Sequence, residues 1–380
     1  MNILKYSEKH SAFREKFRAF VKKEILPNAE KWEQDHMVPK QAWKKMGQEG
    51  FLCPCVQPEY GGPGLDFLYT VIIIEEMART RQTGLISYLH SDIIVPYIES
   101  FGSEWQKKKY LPGCVSGDII TAVGMTEPGA GSDLASISTI AVEEEGHVII
   151  NGSKTFISNG INCDLLIIAV KDPLIENPHK AISLYLVEDK TPGFKKGGKL
   201  EKMGMHSQDT AELFFTNCRI PVENLLGEKG VGFVMLMKKL QQERLTCSIM
   251  ALNKAEYVLE WTIEYCKNTQ VSGRPLSSSQ SVQFAFAEMA TEARMSRLFV
   301  ENLIADHMEK KDIVIETSMA KYQTSDMANR FANRCLDIIG SYAMDEQCPL
   351  VRELRDLKVM PIFAGTNEIM KGIIAKSMKL

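Results

Sequence analysis

Glu243 and Arg244 stand side by side in VGFVMLMKKLQQERLTCSIMALNKAEYVLEW, residues 231–261. At about 100° per residue, Phe233, Leu236, Met237, Leu240, Cys247, Ala251, Ala255 and Val258 share one helical face, with Lys238, Lys239 and Gln242 opposite. The acid and its neighbour fall on the apolar stripe. A carboxylate there is costly unless it is paired or used, and desolvation raises its pKa toward the range in which a general base works near neutrality. The residues alone leave two readings open: a proton-abstracting base, or half of an internal ion pair with Arg244 or a lysine.

Two other stretches have the composition of a site. PIFAGTNEIM, 361–370, reads as a loop entering a helix: Pro361 ends one element, Gly365 permits a tight turn and Thr366 is a good N-cap. GMTEPGAGSD, 124–133, is rich in Gly, Pro and short hydroxyl residues that can aim backbone N–H groups and hydroxyls at a polar ligand edge, although an ordinary loop has the same composition. His90 and His206 are isolated and lack metal-ligand spacing, and no Ser/His/Asp arrangement stands out. Nine scattered cysteines, with Cys53-Pro54-Cys55 the closest pair, read as reduced structural thiols.

The elements that must position these stretches change character along the chain. Residues 1–120 carry helical periodicity broken by turns, 121–229 carry short β-branched runs, and 230–380 return to helical periodicity, so three domains are expected. Asn151-Gly152, between HVII and KTFI, predicts a hairpin turn. With no internal repeat, low-complexity tract or long linker, the three parts are expected to pack into one body. A chain of 380 residues with 44% hydrophobic content can bury a large core. The net charge of -3 offers no basic field for nucleic acid and no polybasic segment for an anionic membrane. Apolar runs such as TVIII, 70–74, are too short to span a bilayer, and the charged MNILKYSEKH lacks a signal-peptide core, so a cytoplasmic protein is expected.

Several motifs in register carry a resemblance. TEPGAGSD, WKKMGQEGF with PEYGGPG at 58–64, GSEWQKKKYLP at 102–112, NGSKTFISNG at 151–160, GVGF at 230–233, RD at 355–356 and GTNEIM at 365–370 together resemble the acyl-CoA dehydrogenases over nearly the whole chain. The resemblance implies an α+β fold with an N-terminal helical domain, a central β domain and a C-terminal four-helix bundle. It also implies FAD near a subunit interface of a homotetramer, a place in fatty acid metabolism, and electron transfer to an electron-transferring flavoprotein.

The implied reaction is α,β-dehydrogenation of an acyl-CoA thioester: a base takes the α-proton while the β-hydrogen leaves as hydride to flavin N5. The position of Ala364 usually carries the base in this family and also lends its backbone N–H to the thioester carbonyl. Ala removes the carboxylate and keeps the amide. The long-chain and isovaleryl branches carry their base on the helix instead, and LQQERL resembles the long-chain version. The resemblance therefore favours Glu243 as base, with Glu368 as rival, and a medium-chain, long-chain or branched substrate. It places Met125, Thr126, Phe156, Ser158, Thr366 and Glu368 at FAD, and Ser132, Arg244 and Gly365 at the substrate. Phe156 stands where Trp is usual and preserves an aromatic shield.

The adenine side departs from the pattern. In YCKNTQVSG, 265–273, Thr269 replaces an arginine that grips the pyrophosphate and Ser272 replaces a phenylalanine, while Asp337 stands where a glutamine meets a neighbouring subunit's FAD. Arg274 either compensates or is a solvated loop arginine. These departures suit a subunit of a heteromeric dehydrogenase with impaired FAD binding, and two further alternatives keep the fold and change the chemistry: a carrier-protein thioester desaturase or a flavin monooxygenase.

Overall fold

Serine caps set two of the N-terminal helices. Ser7 starts α1 (Glu8–Phe20) and Ser103 starts α6 (Glu104–Ser116), each in a reciprocal box with the residue three further on, His10 and Gln106. Between them run α2 (Ala29–Gln34), α3 (Lys40–Gln48), α4 (Phe67–Ala78) and α5 (Val95–Phe101), the last preceded by a π-helical stretch, Leu89–Ile94. Every residue of α4 from Phe67 to Ile74 is buried, because the helix is sandwiched between α1 and the C-terminal helices. The computed structural model describes residues 3–380.

The middle of the chain forms one mixed sheet: β1 (Thr121–Gly124), β2 (Ile140–Glu144), β3 (His147–Ile157), β4 (Leu165–Lys171), β5 (Ile182–Glu188), β6 (Phe194–Lys199), β7 (Ala211–Pro221) and β8 (Leu225–Leu226). Its order is β6-β7-β3-β2-β4-β5-β8, with β1 parallel to β4. The run LLIIAV is apolar throughout because β4 is covered on both faces. Leu165, Ile167 and Ala169 join the large core shared with the helices, while Leu166, Ile168 and Val170 fill a second core on the other side.

The hairpin expected at Asn151-Gly152 is not there. β3 runs straight through both residues, and the turn between β2 and β3 is Glu145-Gly146, both at positive φ. Gly152 instead sits at a bulge opposite β7, where a Cβ would lie 2.6 Å from Thr139 Oγ1 and 2.7 Å from its Cα. Glycine is required there by close approach, which looks the same as a turn signal in a dipeptide.

Beyond the sheet come α7 (Gly232–Asn268), the short β9–β10 hairpin (Gln270–Val271 and Arg274–Pro275), α8 (Gln280–Met308), α9 (Val314–Ile339), α10 (Pro349–Leu357) and α11 (Asn367–Ser377). At 37 residues, α7 is about 55 Å long. It runs past the expected end at Trp261, and the predicted stripe holds only in part: Met237 is exposed and Met235 is buried in its place. From Glu243 to Ala255 every residue is buried, because α4, α8, α9 and α10 all pack around this segment. Amphipathicity disappears where a helix is sheathed on all sides. Gln106 Nε2 ties α6 to the sheet by donating to the carbonyls of Glu223 and Leu225, both at 2.9 Å. No helix among the described residues is long and apolar enough to cross a membrane.

Candidate active site

In the sheathed segment of α7, Glu243 is buried and its Oε2 has no hydrogen-bond partner among the described residues. Among the described residues, the internal ion pair left open by the sequence does not form. Arg244 turns away and donates from Nη1 to Ser318 Oγ on α9 at 3.2 Å, leaving its own Nε unpartnered. Burial pushes the Glu243 carboxyl up to about 7, against the pull of Arg244 and then Lys321. Two phenols face the same region. Burial raises the Tyr88 hydroxyl, with Cys247 and Glu243 adding to it, and burial followed by the Glu243 charge raises Tyr97, whose Oη is also unpartnered. Gln242 anchors this part of the helix by donating from Nε2 to the Asp92 carbonyl at 2.6 Å.

The second stretch folds as a tight turn. Ala364 and Gly365 both lie in the left-handed region, at φ 57° and 87°, and the Asn367 N–H closes the turn on the Pro361 carbonyl at 2.9 Å. Thr366 caps α11 by accepting the Ile369 N–H at 3.3 Å, as its position predicts. A left-handed alanine costs about 1 to 2 kcal/mol, so the surroundings must hold this turn in place. Glu368 is exposed in the first turn of α11.

The third stretch lies against the end of β3, where the Thr155 N–H donates to the Thr126 carbonyl at 2.9 Å. Phe156 is 68% exposed at φ 55°, an unusual position for a large aromatic. The hydroxyls of Thr126 and Ser158 are partly accessible and make no hydrogen bond within the described residues. An uncovered aromatic face beside free hydroxyls fits a flat, polar-edged ring such as a flavin. Ser132 is exposed further along the same loop. On the adenine side, Thr269 only closes α7 by donating its N–H to the Tyr265 carbonyl, while Ser272, Arg274 and Asp337 are exposed and Arg274 has no ion pair among the described residues.

Tyr88 and Phe363 line a cavity together with Met77, Met205, Met250 and Met360, and Lys254 and Asp356 also stand on its wall. Its free space is only about 30 Å³, room for one or two waters, so an occupant must displace methionine side chains.

Family models for the acyl-CoA dehydrogenase N-terminal, middle and C-terminal domains match residues 7–118, 122–218 and 230–379. The long-chain specific acyl-CoA dehydrogenase of Mus musculus mitochondria is 40% identical over 374 residues, 98% of this chain and 87% of that protein. The chain belongs to the acyl-CoA dehydrogenase family. The crystal structure of the acyl-CoA dehydrogenase from Geobacillus kaustophilus superposes with a TM-score of 0.97 at 49% identity, covering 99% of both chains. A structure described as the FAD complex of PigA superposes with a TM-score of 0.92 at 28% identity, covering 99% of both chains. As an acyl-CoA dehydrogenase, the chain is an FAD-dependent oxidoreductase acting on a CH–CH bond.

Other residues of this dehydrogenase bear on the same site without a local sequence signal. Glu127, inside the TEPGAGSD loop, accepts hydrogen bonds from Lys154 Nζ at 2.7 Å, from Ser138 N–H and Oγ at 2.6 Å each, and from Thr139 N–H at 3.0 Å. Lys154 also donates to the Met125 carbonyl at 3.1 Å, and both side chains of the pair are buried. Lys321 of α9 reaches the Ala364–Gly365 turn. A buried acid in a loop and a lysine in a strand or helix could have been flagged as costly positions, but only the fold shows what they meet.

Proposed function

We propose that this dehydrogenase desaturates a medium-chain, long-chain or branched acyl-CoA with Glu243 as the base. The observation that supports this most is the enclosed, unpartnered Glu243 Oε2. In this reading Glu243 removes the α-proton, and the Ala364 N–H donates to the thioester carbonyl as enolate charge develops there. Thr126, Ser158 and the Phe156 ring hold FAD, which when bound accepts the β-hydrogen as hydride. Glu368, exposed at the start of α11, belongs with the cofactor's far end rather than with proton transfer. Electrons then leave to an electron-transferring flavoprotein. The exposed apolar residues Phe284, Met295 and Phe299 on α8 support assembly with further copies, as in a homotetramer.

The test is anaerobic flavin bleaching by acyl-CoA, followed against pH. Only ionised Glu243 can act, and burial sets its carboxyl at about 7. Below pH 7 the bleaching rate is expected to rise about tenfold per unit, then level off above it. A rate independent of pH between 5 and 9 would remove Glu243 from the role.

The methionine-lined cavity supports the longer substrates. Thioether chains are flexible and polarizable, so they repack around an alkyl tail at low cost. Met250 lies seven residues beyond Glu243, about 10 Å along α7. Met250→Trp is expected to lower kcat/KM for long-chain acyl-CoA by about tenfold or more while sparing short-chain substrates, because a filled pocket rejects added methylenes at about 1 to 3 kcal/mol each. A substrate panel read by dye reduction checks this, and a uniform loss across chain lengths would place the tail elsewhere.

A further inference from the structure

Lys321 is among the most deeply enclosed side chains of the protein, 1% exposed, yet it has no ion pair among the described residues. Its Nζ donates instead to the Gly365 carbonyl at 2.8 Å and to Asn367 Oδ1 at 3.1 Å. Asn367 is fixed in turn, donating from Nδ2 to Asp326 Oδ1 at 2.7 Å and to Ser325 Oγ at 3.0 Å. One lysine on α9 thus reaches both sides of the Thr366 cap, on a turn whose Ala364 and Gly365 are held at positive φ.

The same side chain stands on the helix packed against the acid's own. α7 and α9 pack along their length, and Arg244 meets Ser318 one turn before Lys321. Cys247, one turn beyond Glu243, is raised by burial and Glu243 and then lowered by Lys321. Among the described residues, the groups coupled to Glu243 are Arg244 and Cys247 on its own helix, Lys321 on α9, Tyr88 ahead of the π-helical stretch and Tyr97 on α5, and on that stretch, packed against α7, burial also raises the Asp92 carboxyl to about 7. Burial lowers the Lys321 ammonium to about 8, with Cys247 and Asp326 pulling it back, Arg244 lowering it and Glu368 raising it, so its charge is present below about pH 8 and is lost above it.

We propose that Lys321 is a positioning residue for the reaction: through Gly365 and Asn367 it aims the Ala364 N–H, and its charge, carried on the helix packed against α7, favours the ionised Glu243. A neutral residue at 321 would loosen the turn and let the Glu243 carboxyl titrate higher, because one of the two cations opposing its burial is gone. This rests on the assignment of Glu243 and Ala364 made above.

Lys321→Gln keeps a donor for Gly365 and loses the charge, whereas Lys321→Arg keeps the charge and changes the reach. Single-turnover flavin reduction by acyl-CoA is measured from pH 5 to 9, normalised to bound FAD. The Gln variant is expected to shift the midpoint upward by about one unit and to lower the limiting rate about tenfold. The Arg variant is expected to keep the midpoint and lose limiting rate. A Gln variant with the wild-type midpoint, its activity falling only in proportion to FAD lost, overturns the proposal. Should the Gln variant fail to fold, the Arg variant decides, since an unchanged limiting rate there overturns it as well. Glu243→Gln is run in parallel. If that variant still reduces flavin, the base assignment has failed. If it is inert while Lys321→Gln behaves as wild type, only the role of Lys321 has failed.

Discussion

Glu243→Gln is expected to abolish flavin bleaching by acyl-CoA, lowering the reduction rate by about 10² to 10⁴ while FAD stays bound. The amide fills the same volume and cannot take a proton. Stability is expected to move the other way. A carboxyl held at about 7 by burial is ionised at a cost in the folded protein, so its contribution is favourable below its unfolded value of 4.5 and is lost as pH rises through about 7. At pH 8 the variant should therefore melt no lower than wild type. Bleaching retained in this variant would return attention to Glu368, the rival acid in the sequence.

The second large effect is expected at a residue that touches no reacting atom. Glu127→Ala leaves Lys154 fully enclosed without its partner and strips the acceptor from the N–H groups of Ser138 and Thr139. Breaking a buried pair from one side costs about 3 to 5 kcal/mol, and here the lost anchor sits inside the loop proposed to hold FAD. Urea unfolding should show that loss, accompanied by a fall in the flavin-to-protein absorbance ratio. Glu127→Leu combined with Lys154→Met should recover much of the stability, since an apolar replacement of both partners removes the stranded charge. Burial alone would raise the Glu127 carboxyl, but the bonds from Lys154, Ser138 and Thr139 outweigh it and hold it at about 2. Its stabilising contribution is thus complete above 4.5 and is lost only as pH falls through about 2. Unchanged stability in Glu127→Ala would mean that the loop is anchored elsewhere.

How much of this was legible in the sequence depended on distance along the chain. An acid on an apolar stripe can be recognised within one helix, and the burial of Glu243 was expected that way, whereas its reading as a base rather than half of an ion pair came from the family resemblance. Thr366 was readable as a cap because capping is decided within four residues. The partners that support the site were not readable. Glu127 and Lys154 are 27 residues apart, and Lys321 and Gly365 are 44 apart, so nothing local couples them. The fold joins each pair by folding β3 back over the loop or by laying α9 against the turn. Asn151-Gly152 failed for a related reason: the dipeptide reports a glycine requirement, and the neighbour imposing it, Thr139, belongs to another segment. The stripe on α7 failed at Met237, where the wrapping of other helices, rather than periodicity, decides burial.

The left-handed bend at Ala364 also bears on how such enzymes diversify. If the bend contributes only through its main chain, the side chain there is chemically idle and its identity is constrained by conformation alone. The acidic group can then move to a different scaffold element while the donor that steadies the carbonyl stays where it was. Two halves of one reaction become separable inheritances, each open to change without rebuilding the other.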